Sequence, residues 1–162
     1  MIEVRDNNRI FRLSANPTGE AVIAVAVEVL AARHSRLGVQ IDNPADTEAY
    51  LRLRLGDCER EHFFAMFLDT RHRVIHEEIL FSGSIDGAEI HPRELVKAAL
   101  FSNAAAVVIA HNHPSGDVEP SNADRAVTAR IKQSLALIDV RLLDHFVVSR
   151  VGATSFASRG LL

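Results

Sequence analysis

Two histidines, a serine and an aspartate at fixed offsets carry the chemistry legible in this chain. They lie in one run, His111-Asn112-His113-Pro114-Ser115-Gly116-Asp117-Val118-Glu119-Pro120-Ser121-Asn122-Ala123-Asp124. Small and β-branched residues from Ala104 to Ala110 precede it and read as a strand buried on both faces. Histidines at i and i+2 on a strand end leave on the same face. A Pro/Gly loop then reverses the chain, and helical character runs from Arg125 to Leu137, so Ser121 and Asp124 stand one turn apart at a helix entrance. His111, His113 and Asp124 gathered this way supply three ligands for Zn²⁺ and leave a fourth position for water. Each feature also has a plain structural use. Ser-x-x-Asp is a variant of the capping box, and Pro114, Gly116 and Pro120 punctuate a loop. Capping and ligation are compatible, because an Asp124 bonded to helix amides is held still.

Such a site needs a proton acceptor. Zinc brings the pKa of water to about 7, and a nearby carboxylate can take the proton as attack begins. Glu59, Glu61, Glu77, Glu78, Glu89 and Glu94 are the candidates. Strand parity does not rank them, since the run Glu61 to Asp69 is apolar on both faces. His145 reads as a core or strand residue, with a place near the metal as the alternative. Asp117 and Ser115 are expected to bond the loop backbone, and Asn112 to help hold the loop.

The pattern His111-x-His113, seven residues, Ser121, two residues, Asp124 resembles the JAMM signature of the JAB/MPN metalloprotease superfamily. The wording His-Asn-His-Pro-Ser-Gly-Asp, followed by Pro120-Ser121 and Asp124, is similar to the RadC branch. Glu61-His62-Phe63, Leu68-Asp69, His91-Pro92-Arg93-Glu94, Asn103-Ala104-Ala105-Ala106 and Leu142-Leu143-Asp144-His145 extend the resemblance over roughly residues 46 to 160. It implies an α/β fold of the MPN/JAB1 (cytidine-deaminase-like) kind, a mixed β-sheet sandwiched by helices. It also implies a zinc-dependent hydrolase cutting a peptide or isopeptide bond of a protein substrate. The family's glutamate matches Glu61, as general base and then acid, and Ser121 matches the donor to the developing oxyanion. Two other readings stand beside it: a DNA-repair or mobile-element protein, and a non-catalytic MPN scaffold. The DNA-binding hairpin module common in the RadC branch is not legible in residues 1–45.

The whole chain bounds these readings. Its 162 residues include 24% charged and 48% hydrophobic residues, with net charge −3, so the composition is that of a globular protein without an electrostatic footprint for nucleic acid. The lone Cys58 forms no internal disulfide and suits a reducing, cytoplasmic setting. The apolar block from Ala21 to Ala32 is broken by Glu28 and is too short to span a membrane. It reads as a packed helix, capped by Thr18 and stopping at Gly38, that covers the core or forms a contact between copies.

Residues 1–45 are expected to add a hairpin, turning at Asp6-Asn7-Asn8, and this helix to a JAB/MPN core of residues 46–162. Asn43 and Pro44 open a second helix that ends near Gly56. Strands are expected over Glu61–Asp69, Val74–Phe81 and Val140–Ser149, with a short edge strand at Thr154-Ser155-Phe156. Loop signals stand at Ser82-Gly83-Ser84 and Asp86-Gly87. A helix from Pro92 is expected to bury Leu95, Val96, Ala99, Leu100 and Phe101.

Overall fold

The computed structural model describes residues 1–6, 9–34, 40, 41, 43–83 and 90–162. Asn7, Asn8, Gly38, Ser84, Asp86, Gly87 and Glu89, named above, lie outside the described residues. In chain order the elements are β1 (Ile2–Asp6), β2 (Arg9–Leu13), α1 (Gly19–His34), α2 (Pro44–Leu55), β3 (His62–Leu68), β4 (Val74–Ser82), α3 (Pro92–Phe101), β5 (Ala106–Asn112), α4 (Asn122–Ala136), β6 (Arg141–Val148) and β7 (Ala153–Ser155).

Five strands form one mixed sheet in the order β4-β3-β5-β6-β7. β3 pairs antiparallel with both β4 and β5, β5 pairs parallel with β6, and β7 closes the far edge antiparallel to β6. The parallel β5/β6 pair needs a crossover, which α4 supplies. β1 and β2 form a separate antiparallel hairpin, and α1 packs against α2 and β2.

Alternation along β3 divides the core in two. Phe64, Met66 and Leu68 face α2 and pack with Tyr50, Leu51 and Leu55. Phe63, Ala65 and Phe67 face the other way and meet Leu95 and Ala99 of α3 with Ile131 and Leu135 of α4. β3 and β5 therefore lie between two layers of helix, and every residue of β5 is buried. This is the helix-sheathed mixed sheet that the resemblance implies.

Local chemistry sets the helix ends. The Asn43 Oδ1 accepts from the Ala45 amide at 2.9 Å, with Pro44 at the first helical position. The Thr18 hydroxyl accepts from the Ala21 amide at 3.2 Å. After α3 and α4 the chain turns through Asn103 (φ 54°) and Asp139 (φ 58°), two of the residue types that tolerate the left-handed region. One expectation fails: α3 buries Leu95 and Ala99, but Leu100 and Phe101 are 59% and 94% exposed. At 100° per residue they lie about 120° and 140° from the centre of the Leu95/Ala99 face, on the far side of the helix, and the sheet reaches only that face. Among the described residues, no helix is long and apolar enough to cross a membrane.

Candidate metal centre

β5 delivers the first ligand residue. His111 sits on the strand's last turn toward solvent and is 6% exposed; His113 follows on the same side just beyond the strand, where its amide donates to the Val148 carbonyl of β6. The loop then bends through Gly116, whose φ of 90° favours glycine. Its backbone is bonded by its own side chains, as expected: Asp117 Oδ1 accepts from the Glu119 amide at 2.9 Å, and the Ser115 hydroxyl accepts from the Asp117 amide at 3.4 Å.

α4 brings in the carboxylate through a full capping box. The Ser121 hydroxyl oxygen accepts from the Asp124 amide at 3.1 Å, and Asp124 Oδ2 accepts from the Ser121 amide at 2.8 Å. The helix consequently starts at Asn122, with Ser121 as its cap and the box forming its first turn, where the Ser-x-x-Asp spacing puts it.

The three groups converge. His111 Nε2 lies 3.0 Å from His113 Nε2 and 3.1 Å from Asp124 Oδ1, and His113 Nε2 lies 3.6 Å from Asp124 Oδ2. One ligand atom from each falls within 4.8 Å of the others. Tetrahedral zinc with ligands at about 2.05 Å sets its ligand atoms about 3.3 Å apart, and the observed spacings bracket that value. The proton on His113 is also placed. Its Nδ1 is 2.7 Å from the Asp117 carbonyl, which can only accept, so the neutral ring carries its hydrogen there and presents a lone pair at Nε2. Lone pairs crowded this closely repel unless a positive charge lies among them. The donor set therefore fits a divalent ion.

Burial alone would raise the Asp124 carboxyl, but His111 in its protonated form, bonded through Nε2–H, and the bonds from Ser121 outweigh it and hold the group well below the usual carboxylate range. Asp124 is thus an anion at neutral pH, as a ligand must be. Behind His111 lies His145 of β6, fully buried, its Nε2 2.8 Å from His111 Nδ1 and its Nδ1 2.6 Å from the Thr128 hydroxyl. Burial pushes the His145 imidazole well below its ordinary range, and the neighbouring His111 adds to this. His145 is therefore a core residue and a neighbour of the centre at once.

Register separates the glutamates. Phe63 is paired with His111 across β3/β5, so Glu61, two residues earlier on the same face, comes to the His113 end of the strand. There it lines a cleft of about 450 Å³ together with His111, His113, Ser121 and Asp124. Glu119, not among the candidates, lines the same cleft but is paired with Arg125 and Arg159; the other described candidates are placed elsewhere. Glu77 accepts from the Tyr50 hydroxyl at 2.7 Å, Glu78 is paired with His76, Glu94 is paired with Lys97 and Arg93, and Glu59 is exposed in the bend before β3.

Asn112, between the two histidines, points to the opposite side and does more than hold its own loop. Its side chain accepts from the His62 amide at 2.7 Å and donates to the carbonyls of Arg60 at 2.9 Å and Cys58 at 3.3 Å, clamping the Glu61 segment to β5. Burial pushes the Cys58 thiol up, and its sulfur is not part of the His-His-Asp cluster. The Ser121 hydroxyl donates to Asp124 Oδ2 at 2.6 Å, so in this geometry its proton is committed to the carboxylate.

The chain is similar to known proteins over most of its length. The model of the RadC-like JAB domain matches residues 41–161. A UPF0758 protein of Vibrio cholerae serotype O1 (strain M66-2) is 50% identical over 141 residues, 87% of this chain and 62% of the relative. One from Xanthomonas euvesicatoria pv. vesicatoria (strain 85-10) is 53% identical over 150 residues, 90% of this chain and 66% of the relative. A UPF0758 protein of Vibrio cholerae serotype O1 (strain ATCC 39315 / El Tor Inaba N16961) is 51% identical over 141 residues, 87% of this chain and 88% of the relative. The chain thus spans 62% of the length of relatives such as the first. With the family model matching three quarters of its length and a mixed sheet that carries a His-His-Asp cluster, the chain belongs to the RadC-like JAB domain family.

Proposed function

We propose that this chain is a metal-dependent hydrolase of the JAMM type that cleaves a peptide or isopeptide bond in a protein substrate, with zinc as its metal. The observation that carries the reading is the convergence of His111 Nε2, His113 Nε2 and an anionic Asp124 within 3.6 Å of one another on the floor of an open cleft. Nitrogen and carboxylate donors together suit zinc. When bound, such an ion supplies the Lewis acidity that makes water nucleophilic near neutral pH.

The chain's own residues do the remaining work. His111, His113 and Asp124 hold the ion. Glu61, on the cleft wall, takes the proton of the attacking water and returns it to the leaving amine. Asn112 fixes the segment that carries Glu61. Ser121 steadies Asp124 through the capping box, and it serves the developing oxyanion by turning its hydroxyl from the carboxylate toward the substrate.

Zinc content and peptidase activity on a diverse peptide library test this. His111→Ala/His113→Ala protein is expected to lose zinc, and Glu61→Gln protein to keep zinc while turnover falls at least ~10²-fold. Unchanged zinc in the double variant would sink the assignment.

A further inference from the structure

A chain of hydrogen bonds runs from one ligand residue back to another through groups that touch no metal. Thr128 lies on α4 one turn after Asp124, and its hydroxyl is 2.6 Å from the Asp124 carbonyl and 2.6 Å from His145 Nδ1. His145 Nε2 is in turn 2.8 Å from His111 Nδ1. Both Thr128 and His145 are buried, at 1% and 0% exposure. Phe156 stacks on the His145 ring at 4.6 Å, and Phe63 meets it edge-on at 5.9 Å.

The partners dictate where each proton sits. A carbonyl only accepts, so the single Thr128 hydroxyl hydrogen goes to Asp124. The Thr128 oxygen then offers only a lone pair to His145, whose Nδ1 must carry the hydrogen. A neutral imidazole has one N–H, so His145 Nε2 is an acceptor. The neutral His111 must then hold its own hydrogen at Nδ1, leaving Nε2 unprotonated toward His113 and Asp124. Each link is forced by the one before it.

We propose that Thr128 and His145 are positioning residues of the centre: the hydroxyl orders the His145 proton, and His145 orders that of His111, so that the neutral His111 presents Nε2 as a free ligand. The ring closes on Asp124, so β5, β6 and α4 are held in register by the same bonds that prepare the site. Ligating histidines usually donate to a carboxylate, carbonyl or water. Here the acceptor is a neutral imidazole, which orients the ring without adding negative charge behind the metal.

The inference rests on the metal reading above, and its test separates the two. In metal-free full-length chain at about pH 8.5, above the ordinary imidazole range, long-range ¹H–¹⁵N correlation spectra read the tautomers of His111 and His145. Zinc affinity is measured by competition with a chromophoric chelator. His111 is expected as the Nδ1–H form in the wild type. Thr128→Val keeps the shape but removes the acceptor; it should shift His111 toward Nε2–H and lower zinc affinity about 10–100-fold.

Thr128→Ser should restore both readouts, which a purely structural role for the threonine methyl would not do. His145→Phe, which keeps a ring for Phe156 to stack on, is the second probe and should lose a similar factor. Wild-type zinc affinity in Thr128→Val, or an Nε2–H His111 in a wild type that binds zinc, overturns the relay alone. A wild type that takes up no zinc overturns the metal reading and the relay's purpose with it.

Discussion

Ser121 shows how one side chain can hold two roles that a single substitution resolves. Its hydroxyl caps α4 and donates to the carboxylate of Asp124. Removing such a cap costs about 1 kcal/mol, and removing an oxyanion donor costs ~10²–10³ in turnover. Ser121→Ala is therefore expected to lower the melting temperature by roughly 2–4 °C, with kcat falling by the larger factor and KM little changed. Unaltered kcat alongside weakened zinc binding would leave Ser121 as a cap only. At this scale the ligands were readable in the sequence because they belong to one strand–turn–helix unit of adjacent residues. For His145 the sequence left a core position and a place near the metal both open, since only the parallel pairing of β5 and β6 sets it behind His111; Thr128 went unnoticed, because its partner lies on another element.

Among elements, the union of β3 with β5 brings Glu61 to the wall of the cleft. Asn112 is 1% exposed and its three bonds all go to residues 58–62. Asn112→Ala would strand buried backbone groups at a cost of about 2–3 kcal/mol. Turnover should fall while zinc stays bound, because His111 and His113 keep their places on β5; denaturant melts and metal analysis check both halves. A variant as stable and as active as wild type would remove the clamp from the account. The strands and caps were legible from apolar runs and from Asn43-Pro44. Glu61 could not be ranked among six glutamates, because its standing depends on the Phe63–His111 register, a property of two strands rather than of either. Leu100 and Phe101 misled for the opposite reason: apolar residues beside a buried stripe look, in one dimension, like part of it.

For the whole molecule, the sheet lies between α2 on one face and α3 with α4 on the other, and the cleft opens where β5 ends. A ligand that binds only the folded chain adds to its stability by mass action. Zinc at a thousand times its Kd contributes about 4 kcal/mol, or roughly 8–16 °C in a chain of this size. Thermal scans with zinc and with a chelator should differ by that margin in the wild type and coincide in His111→Ala/His113→Ala protein. Equal melting in both for the wild type would deny the cluster any resident ion.

Phe156, stacked on His145, also sets an order of events. A ribosome delivers His111, His113 and Asp124 before His145, and His145 before Phe156. The emerging polypeptide thus contains the whole His-His-Asp set while the ring that bonds His111 is still unmade. β6 and the stacked Phe156 therefore complete the surroundings of His111 last.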